Sequence, residues 1–462
     1  MNTLSSDGSI KARLKSFFDF SVFHIDDNGV KLTFLALFIP KLCEILFSRV
    51  ASTVNTLLIS GYAENAVGAT TSATQILSIF TILLNVTTVG ATILISLELG
   101  RGDKERAGTI TATSLLLLII TSGLASIGLF LFAKPLLIML NLEGEALVYG
   151  TEYLKIRGGL LFVSIINGFL GTALVCNGKA VHTMISGMTS SLLNILFIYL
   201  LLYVKIIPNL SGTSAIAVAT EAACFCSLTY SAIVFCCSRC PFVARFDKFF
   251  FTKIYKLGIP GSLSSFSYTM AITLTVGFIG AIGITSLNAY SYTNNIIAYS
   301  CTISAVISPC LSVFVGRYAG RGDIEAIKKI CRLTLFIASM ANTLIAIGIF
   351  IFKNPLLSMF TTNEQIFSMC TVILAVDCII EFGRGIVHVL ETAMNASGNV
   401  IITMVMGLLT AWGCIVLLTY VLGIVLGLGL LGCWIAFATS ELTKATVYVI
   451  HFRKNKWVRS IF

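Results

Sequence analysis

Long apolar runs dominate this chain and restrict what it can fold into. Hydrophobic stretches of twenty or more residues follow one another along almost its whole length, and about 20 apolar residues form an α-helix that crosses a bilayer. Only 11% of the residues are charged and the mean hydropathy is +0.94, whereas an ordinary soluble domain carries about 25% charged residues. These properties exclude soluble, disordered and disulfide-stabilised folds and predict an all-α polytopic membrane protein.

Hydropathy predicts twelve transmembrane helices. Their ranges are 33–59, 67–97, 108–132, 150–176, 182–204, 212–237, 257–281, 287–313, 330–352, 369–394, 400–422 and 429–450. An even number places both termini on one side. The polar N-terminal segment has no signal-peptide core, which favours a cytoplasmic N-terminus. On that assignment 22 Lys and Arg lie on the cytoplasmic side and five on the other. By the positive-inside rule we expect a multi-pass plasma (inner) membrane protein that binds no nucleic acid.

A shift of 220 residues reveals an internal repeat. The shift superimposes Gly100-Arg101-Gly102-Asp103 on Gly320-Arg321-Gly322-Asp323 and Ile39-Pro40 on Ile259-Pro260, and it matches two further regions. Because this distance covers six spans, the two halves have the same orientation, as in the parallel repeats of alternating-access transporters. We therefore predict two six-helix lobes. The predicted division is an N-terminal segment (1–32), an N-lobe (33–238), a basic linker (239–256), a C-lobe (257–450) and a C-terminal tail (451–462).

The repeated Gly-x-Gly-Asp sequences are predicted to be tight cytoplasmic turns. They lack the Walker pattern of a phosphate-binding loop, so no nucleotide hydrolysis is expected. Gly100, Gly102, Gly320 and Gly322 would form the turns, and Asp103 and Asp323 would cap the helices that follow. Cys236, Cys237 and Cys240 contain a single Cys-x-x-Cys, which favours free thiols over a metal site.

Several of these sequences resemble the MATE (multidrug and toxic compound extrusion) family. The resemblance rests on Phe38-Ile39-Pro40, the segment from Asn55 to Gly61, Ala66-Val67-Gly68-Ala69 and the repeated Gly-Arg-Gly-Asp turns. It implies two lobes around a central cavity that export organic, often cationic, compounds in exchange for Na⁺ or H⁺. The wider superfamily includes lipid-linked sugar flippases. Many prokaryotic relatives carry a coupling Asp where this chain has Asn55, and an amide cannot take up and release a proton.

Six polar side chains share one face of the tenth predicted span. They are Asp377, Glu381, Arg384, His388, Glu391 and Asn395, at spacings of 4, 3, 4, 3 and 4. At 1.5 Å per residue this stripe runs about 27 Å, nearly the thickness of the hydrocarbon core. Charges inside a bilayer are retained mainly where they face protein or water. The stripe predicts a cation-coupling or cationic-substrate site, because three carboxylates exceed one fixed positive charge; the alternative is a salt-bridge ladder that joins helices.

Two further sets of polar residues are candidate cavity residues. The eighth span carries Asn288, Tyr292, Asn295, Tyr299 and Thr302 on one face, suited to hydrogen bonds and cation-π contacts with an amphiphilic cation; interfacial or packing tyrosines are the alternative. The 220-residue shift aligns Gln75 with Asn295. In the first span, Glu44 and Asn55 share a face with Lys41, and a Lys41–Glu44 pair is expected. A Glu441–Lys444 pair is expected in the twelfth span.

Three functions remain open at this point. The favoured function is a monomeric antiporter for a small organic substrate that acts in the lipid bilayer, with no cofactor other than Na⁺ or H⁺ as coupling ion. A flippase for a lipid-linked saccharide would favour Arg and Lys in its groove, and the acidic stripe argues against it. An intramembrane enzyme would need a metal-ligand cluster or a nucleophile with a base, and the sequence contains neither at the required spacing.

Overall fold

The computed structural model describes residues 20–27, 30–60, 64–139, 144–207, 210, 212–361 and 363–454. Within these ranges the side chains at 20, 27, 30, 31, 53, 55–60, 64–69, 71 and 284 are not described. Fifteen α-helices and one β-hairpin account for most of the described chain.

The helices follow the order of the predicted spans. They are α1 (Phe34–Ser60), α2 (Glu64–Gly100), α3 (Lys104–Ile138), α4 (Gly144–Gly159), α5 (Leu161–Cys176), α6 (Ala180–Tyr199), α7 (Gly212–Cys237), α8 (Lys248–Ile282), α9 (Ile284–Ser300), α10 (Thr302–Arg321), α11 (Ile324–Ile351), α12 (Lys353–Ser358), α13 (Glu364–Ala396), α14 (Val400–Leu409) and α15 (Gly429–Arg453). π-Helical turns continue α6 through Leu200–Val204 and α14 through Thr410–Leu417 and Thr419–Val425.

Most of these helices can cross a membrane on length and composition alone. Among the described residues nine qualify singly, and the bent pair of α4 and α5 makes a tenth. The two remaining predicted spans are α1 and α15. Each carries charged residues along its length, and ion pairs partly neutralise them: Lys41–Glu44 in α1 and Glu441–Lys444 in α15.

The chain divides into two compact units, which we call the N-unit (Leu35–Ser262) and the C-unit (Met1–Phe34 with Leu263–Phe462). The basic linker and the first part of α8 thus belong to the N-unit. The helix that the sequence predicts over 257–281 begins earlier, at Lys248, because the linker enters the helix with apolar residues that the N-unit buries, Phe250 and Ile254 among them.

The internal repeat is visible in the backbone. Gly102 (φ 80°) and Gly322 (φ 73°) both adopt the left-handed conformation that favours glycine. The Asp103 carboxylate accepts a hydrogen bond from the backbone N–H of Arg106, and Asp323 accepts one from that of Ala326, each at 2.9 Å. Both turns therefore adopt the same capped conformation, as the sequence predicts for them.

The fourth span is bent where the sequence predicts one continuous helix. The helices α4 and α5 meet at 46°, directly after Gly158 and Gly159. Gly158 contacts Leu129 so closely that an added Cβ would lie 2.8 Å from the Leu129 Cβ. The bend frees the N–H of Phe162, which donates to the Ser126 hydroxyl at 3.1 Å. A glycine pair and a side-chain acceptor thus account for the bend.

The eighth span is also interrupted, which corrects the prediction of a single polar face. Helix α9 ends at Ser300 and α10 begins at Thr302 after Cys301. Thr302 therefore starts a new helix and is buried, so it does not continue the face formed by the preceding polar residues.

The N-terminal segment contains a hairpin that hydropathy does not predict. Strands β1 (His24–Asp27) and β2 (Val30–Thr33) pair antiparallel. The Tyr318 hydroxyl donates to the Val22 carbonyl at 2.8 Å, and the Arg321 guanidinium donates to the Asp26 carbonyl at 2.8 Å. The N-terminal segment with its hairpin is therefore hydrogen-bonded to the end of α10 within the C-unit.

Helices α2 and α8 approach closely within the N-unit at two glycines. A Cβ at Gly258 would overlap the Val86 carbonyl oxygen, and one at Gly90 would overlap the Ile254 carbonyl oxygen. We expect Gly258→Ala to separate these helices and to lower stability by about 1–3 kcal/mol, the usual cost of overpacking. Thermal unfolding in detergent measures the loss. Gly277→Ala on the same helix is the control, because a Cβ there meets nothing within 4 Å; equal stability of the two variants would contradict the close contact.

Candidate functional site: a buried charged cluster in the C-unit

Helix α13 carries the polar stripe and is packed between α11 and α15. Asn363 begins the helix by accepting hydrogen bonds from the backbone N–H groups of Gln365 and Ile366. Glycines allow the neighbouring helices to approach. A Cβ at Gly385 would lie 2.6 Å from the Ser339 Cα of α11, and one at Gly383 would lie 3.4 Å from Leu442 of α15. The stripe is therefore held within protein along much of its length.

Glu381 is the most enclosed member of the stripe, with 0% of its surface exposed. Its two carboxylate oxygens have different partners. Oε1 is ion-paired with the Arg384 guanidinium one turn along α13. Oε2 accepts a hydrogen bond from Nδ2 of Asn342 on α11 at 3.1 Å. Burying a carboxylate is costly unless it is paired and hydrogen-bonded, and Glu381 satisfies both conditions.

Asn342 also connects Glu381 to the interruption of the eighth span. Its Nδ2 donates to the Ser304 hydroxyl at 3.0 Å, and its Oδ1 accepts from the Ser304 backbone N–H at 3.4 Å. Ser304 lies in the first turn of α10, where backbone N–H groups lack partners within the helix. Neither residue is among the candidates predicted from the sequence, although a lone Asn in the apolar ninth span was an available signal.

We expect Asn342→Ala to lower stability by about 1–3 kcal/mol, because buried partners of the amide on Ser304 and Glu381 lose their hydrogen bonds. Chemical or thermal unfolding of the purified protein measures the change. Asn295→Ala is a matched control, since the Asn295 side chain is exposed and its hydrogen bond among the described residues goes to the Ser291 carbonyl of its own helix. If the two variants unfold alike, Asn342 does not hold the interrupted helix.

Asp377 lies one turn before Glu381 and is 3% exposed. Hydrogen bonds and ion pairs join its carboxylate to no other described residue, and the charge of Arg384, two turns further along α13, acts on it electrostatically. A buried carboxylate with no direct partner needs a proton or a cation to neutralise it. Asp377 is therefore the member of the stripe best placed to take up either one.

The other half of the stripe faces the ion pair of α15. The Lys444 Nζ lies 2.9 Å from the Glu441 carboxylate and 5.4 Å from the centroid of the Tyr268 ring. His388 and Glu391 are half-buried on α13 and lie within electrostatic range of this pair.

Asn395 ends the stripe and has a local role. Its Oδ1 accepts a hydrogen bond from the Thr403 hydroxyl at 2.6 Å. This bond joins the end of α13 to α14 next to the turn at Gly398 (φ 80°). The matched turn of the first half has Gly178 at φ 77°.

The eighth-span candidates are only partly enclosed. Asn288 and Tyr292 are half-buried, and the Tyr292 ring stacks on Phe360 at a centroid distance of 5.6 Å. Asn295 is exposed and Tyr299 is 46% exposed. These side chains remain candidates for substrate contact, although packing already occupies one face of Tyr292.

The N-unit candidates lie apart from these residues in the chain. Gln75 is exposed on α2, and its alignment with Asn295 in one cavity stays a prediction. Glu44 is half-buried, accepts from Lys41 at 2.6 Å, and contacts Gly187. Asn55 lies in α1, and its side chain is outside the part of the chain that the structure describes.

The N-unit contains an ion pair between helices that the sequence analysis did not predict. Arg157 of α4 pairs with Glu221 of α7, and Glu152 accepts a hydrogen bond from the Ser214 hydroxyl at 3.0 Å. The 220-residue shift places Arg157 on Asp377, so the first half carries a cation where the second half carries a buried acid. This change from an acid to a cation at matched positions could have indicated that Arg157 has a carboxylate partner in the N-unit.

Across the described ranges, His, Cys, Asp and Glu side chains form no group of three able to hold a metal ion. The cysteines at 236, 237 and 240 are free thiols.

Comparison with known proteins identifies the family. The MatE family model matches residues 40–200 and 260–421, two segments that correspond under the 220-residue shift. The uncharacterized transporter YisQ of Bacillus subtilis is 25% identical over 426 residues, which are 91% of this chain and 93% of that protein. The probable multidrug resistance protein NorM of Thermotoga maritima is 23% identical over 437 residues, 93% of each chain.

A solved structure shares the fold. A MOP superfamily transporter from Pyrococcus furiosus superimposes with a TM-score of 0.85 at 18% identity, over 95% of this chain and 97% of that one. The predicted fold of twelve membrane helices in two six-helix lobes is thereby confirmed. With the family model matching both halves, the chain belongs to the MatE (multidrug and toxic compound extrusion) family of membrane transporters and is not an enzyme.

Proposed function

We propose that this chain is a secondary active antiporter that exports organic, cationic or amphiphilic compounds in exchange for Na⁺ or H⁺. Alternating access between the two lobes of the fold would carry the exchange. The observation that carries the proposal is the buried Asp377 carboxylate, which lies one turn from Glu381 and lacks a direct partner among the described residues.

The charge balance of the cluster supports cation uptake. Four carboxylates are set against two fixed cations in the charged cluster, which we define as Asp377, Glu381, Glu391, Glu441, Arg384 and Lys444. An intramembrane ladder that only joined helices would balance its charges. An excess of carboxylates needs protons or bound cations, and either one can couple an ion gradient to transport.

The two acids at the start of the cluster suit different steps. Asp377 can bind the coupling ion directly. Glu381 is ion-paired with Arg384 and hydrogen-bonded to Asn342. It therefore binds the coupling ion only when Arg384 moves away from its Oε1 atom. Competition between the ion and Arg384 for Glu381 gives the C-unit two arrangements, and differential affinity for two arrangements is what drives a conformational cycle.

The substrate class is proposed from the relatives and from the exposed aromatic residues. One relative is named as a probable multidrug resistance protein. Tyr299 and Asn295 offer an aromatic face and a neutral amide, which suit an organic cation through cation-π contact and hydrogen bonding. A flippase for a lipid-linked saccharide is the alternative. The excess of carboxylates disfavours it, because a pyrophosphate group would be repelled.

Transport of a fluorescent organic cation into inverted vesicles tests the proposal. We expect accumulation under an imposed gradient of Na⁺ or of H⁺, and none without a gradient. Vesicles that lack the protein control for passive entry of the dye. Absence of accumulation under both gradients, together with movement of a lipid-linked saccharide analogue, would favour the flippase instead.

A further inference from the structure

The segment that joins the two halves combines basic and aromatic residues. We define the linker surface as the exposed part of residues 239–256, which run from just after the end of α7 at Cys237 to the third turn of α8. Its cations are Arg239, Arg245, Lys248, Lys253 and Lys256, and its one carboxylate is Asp247. All five cations are exposed or half-buried.

Hydrogen bonds fix the backbone of this segment on the N-unit. The Thr113 hydroxyl donates to the Arg245 carbonyl at 3.3 Å and accepts from the Asp247 N–H at 3.4 Å. The Lys179 ammonium donates to the Ser238 carbonyl at 2.7 Å. A Cβ at Gly108 would lie 3.0 Å from the Phe242 backbone nitrogen. The backbone of the linker surface therefore packs on the N-unit in a defined conformation.

The first turns of α8 have two faces. Phe250 and Ile254, four residues apart, are buried in the N-unit. The opposite face exposes Phe249, and the Lys253 Nζ lies 4.4 Å from the centroid of the Phe249 ring. Phe246 is also exposed, and its ring centroid lies 6.2 Å from that of Phe251. Large apolar side chains next to ammonium groups are typical of positions at the edge of a bilayer, where stems and rings lie in apolar surroundings and charges reach the headgroups.

The cations of the linker surface are not neutralised by the carboxylates that the structure describes. Across the described residues, ion pairs connect none of the five cations to a carboxylate. The segment joins two membrane helices, so it lies at the boundary of the hydrocarbon core. Unpaired cations at that depth attract negatively charged headgroups, and the exposed phenylalanines contact the acyl chains beneath them.

We propose that the linker surface binds anionic phospholipids of the membrane leaflet, with Arg245, Lys248 and Lys256 at the phosphate groups and Phe246 and Phe249 among the acyl chains. Charge complementarity and the aromatic face both favour a lipid over an acidic protein partner. Lipid binding at this surface does not depend on which substrate is transported or on which ion is coupled.

Quenching by brominated lipids tests this binding in the full-length protein. The Phe246→Trp variant introduces a Trp whose fluorescence is quenched when it contacts brominated acyl chains. The chain has three Trp residues of its own, so the quenching measured for the unsubstituted chain is subtracted. The protein is reconstituted in phosphatidylcholine vesicles that contain an equal share of brominated phosphatidylglycerol or brominated phosphatidylcholine. We expect about twofold stronger quenching by the phosphatidylglycerol, since each nearby cation favours anionic lipid.

The control variant removes the same number of charges elsewhere. Arg245→Gln/Lys248→Gln/Lys256→Gln should abolish the preference, whereas Lys134→Gln/Lys155→Gln/Lys205→Gln, three exposed cations away from this surface, should retain it. Raising NaCl to about 0.5 M should weaken the preference for phosphatidylglycerol by screening when the linker cations are intact. This measurement does not depend on whether the triple variant folds. Equal quenching by the two lipids, or a preference that survives both the triple substitution and the salt, would overturn the proposal.

Discussion

Glu381→Gln is expected to abolish the accumulation of a cationic dye against its gradient while leaving the protein folded in the membrane. The amide retains the volume of the side chain and can accept from Asn342, but it carries no charge for Arg384 or for a coupling ion. Asp377→Asn should have a similar effect, because it removes the carboxylate that has no direct partner in the described part of the chain. A loss of about 100-fold or more corresponds to a coupling interaction of about 3 kcal/mol.

Controls separate this effect from general damage to the protein. Glu325→Gln removes an exposed carboxylate that pairs with Lys328 near the start of α11, and it should transport at the wild-type rate. Elution as a single species in detergent, with an unchanged melting temperature, shows that Glu381→Gln is folded. If both Glu381→Gln and Asp377→Asn export the dye at the wild-type rate under Na⁺ and under H⁺ gradients, the polar stripe has only a structural role.

Glu221→Gln is expected to cause the largest loss of stability in the N-unit. The substitution leaves the Arg157 guanidinium enclosed and without its ion-pair partner. Breaking a buried pair by removing one side costs about 3–5 kcal/mol. We expect a loss at the lower end of that range, because 22% of the Arg157 side-chain surface is exposed. The melting temperature in detergent measures the change.

The double variant Arg157→Leu/Glu221→Leu is the informative companion. Replacing a buried ion pair by apolar residues is often neutral or stabilising, so the double variant should recover most of the stability that Glu221→Gln loses. If the single variant unfolds like the wild type, or if the double variant is the less stable of the two, the pair does not join α4 to α7 as the structure indicates.

Hydropathy and the repeat predicted the order of the membrane-spanning helices and both Gly-x-Gly-Asp turns. Apolar runs separated by Gly-x-Gly-Asp sequences determine where helices begin, because Gly102 and Gly322 require a left-handed backbone and the following aspartates cap the next helix. The same reasoning predicted the Lys41–Glu44 and Glu441–Lys444 pairs, since side chains three residues apart on a helix are neighbours. Such local rules depend only on spacing within one element.

Features that depend on contacts between helices could not be predicted in this way. The first turn of α10, directly after the break that follows Ser300, is held by Asn342 through hydrogen bonds to Ser304, 38 residues away in the chain. A hydropathy window averages over such a break. Arg157 pairs with a carboxylate two predicted spans further along the chain, at Glu221. The pairing of the N-terminal hairpin with Tyr318 spans almost 300 residues. Periodicity within a single helix contains no information about any of these partners.

Cation flux elicited by substrate is the most direct test of coupling through the charged cluster. Proteoliposomes with no imposed gradient receive an organic cation on one side, while a pH-sensitive dye and a Na⁺ indicator inside report each ion. We expect substrate entry to drive H⁺ or Na⁺ out of the vesicles in the wild type and no such flux in Glu381→Gln. Substrate movement without any cation flux, or with the same flux in Glu381→Gln, would contradict coupling at Asp377 and Glu381.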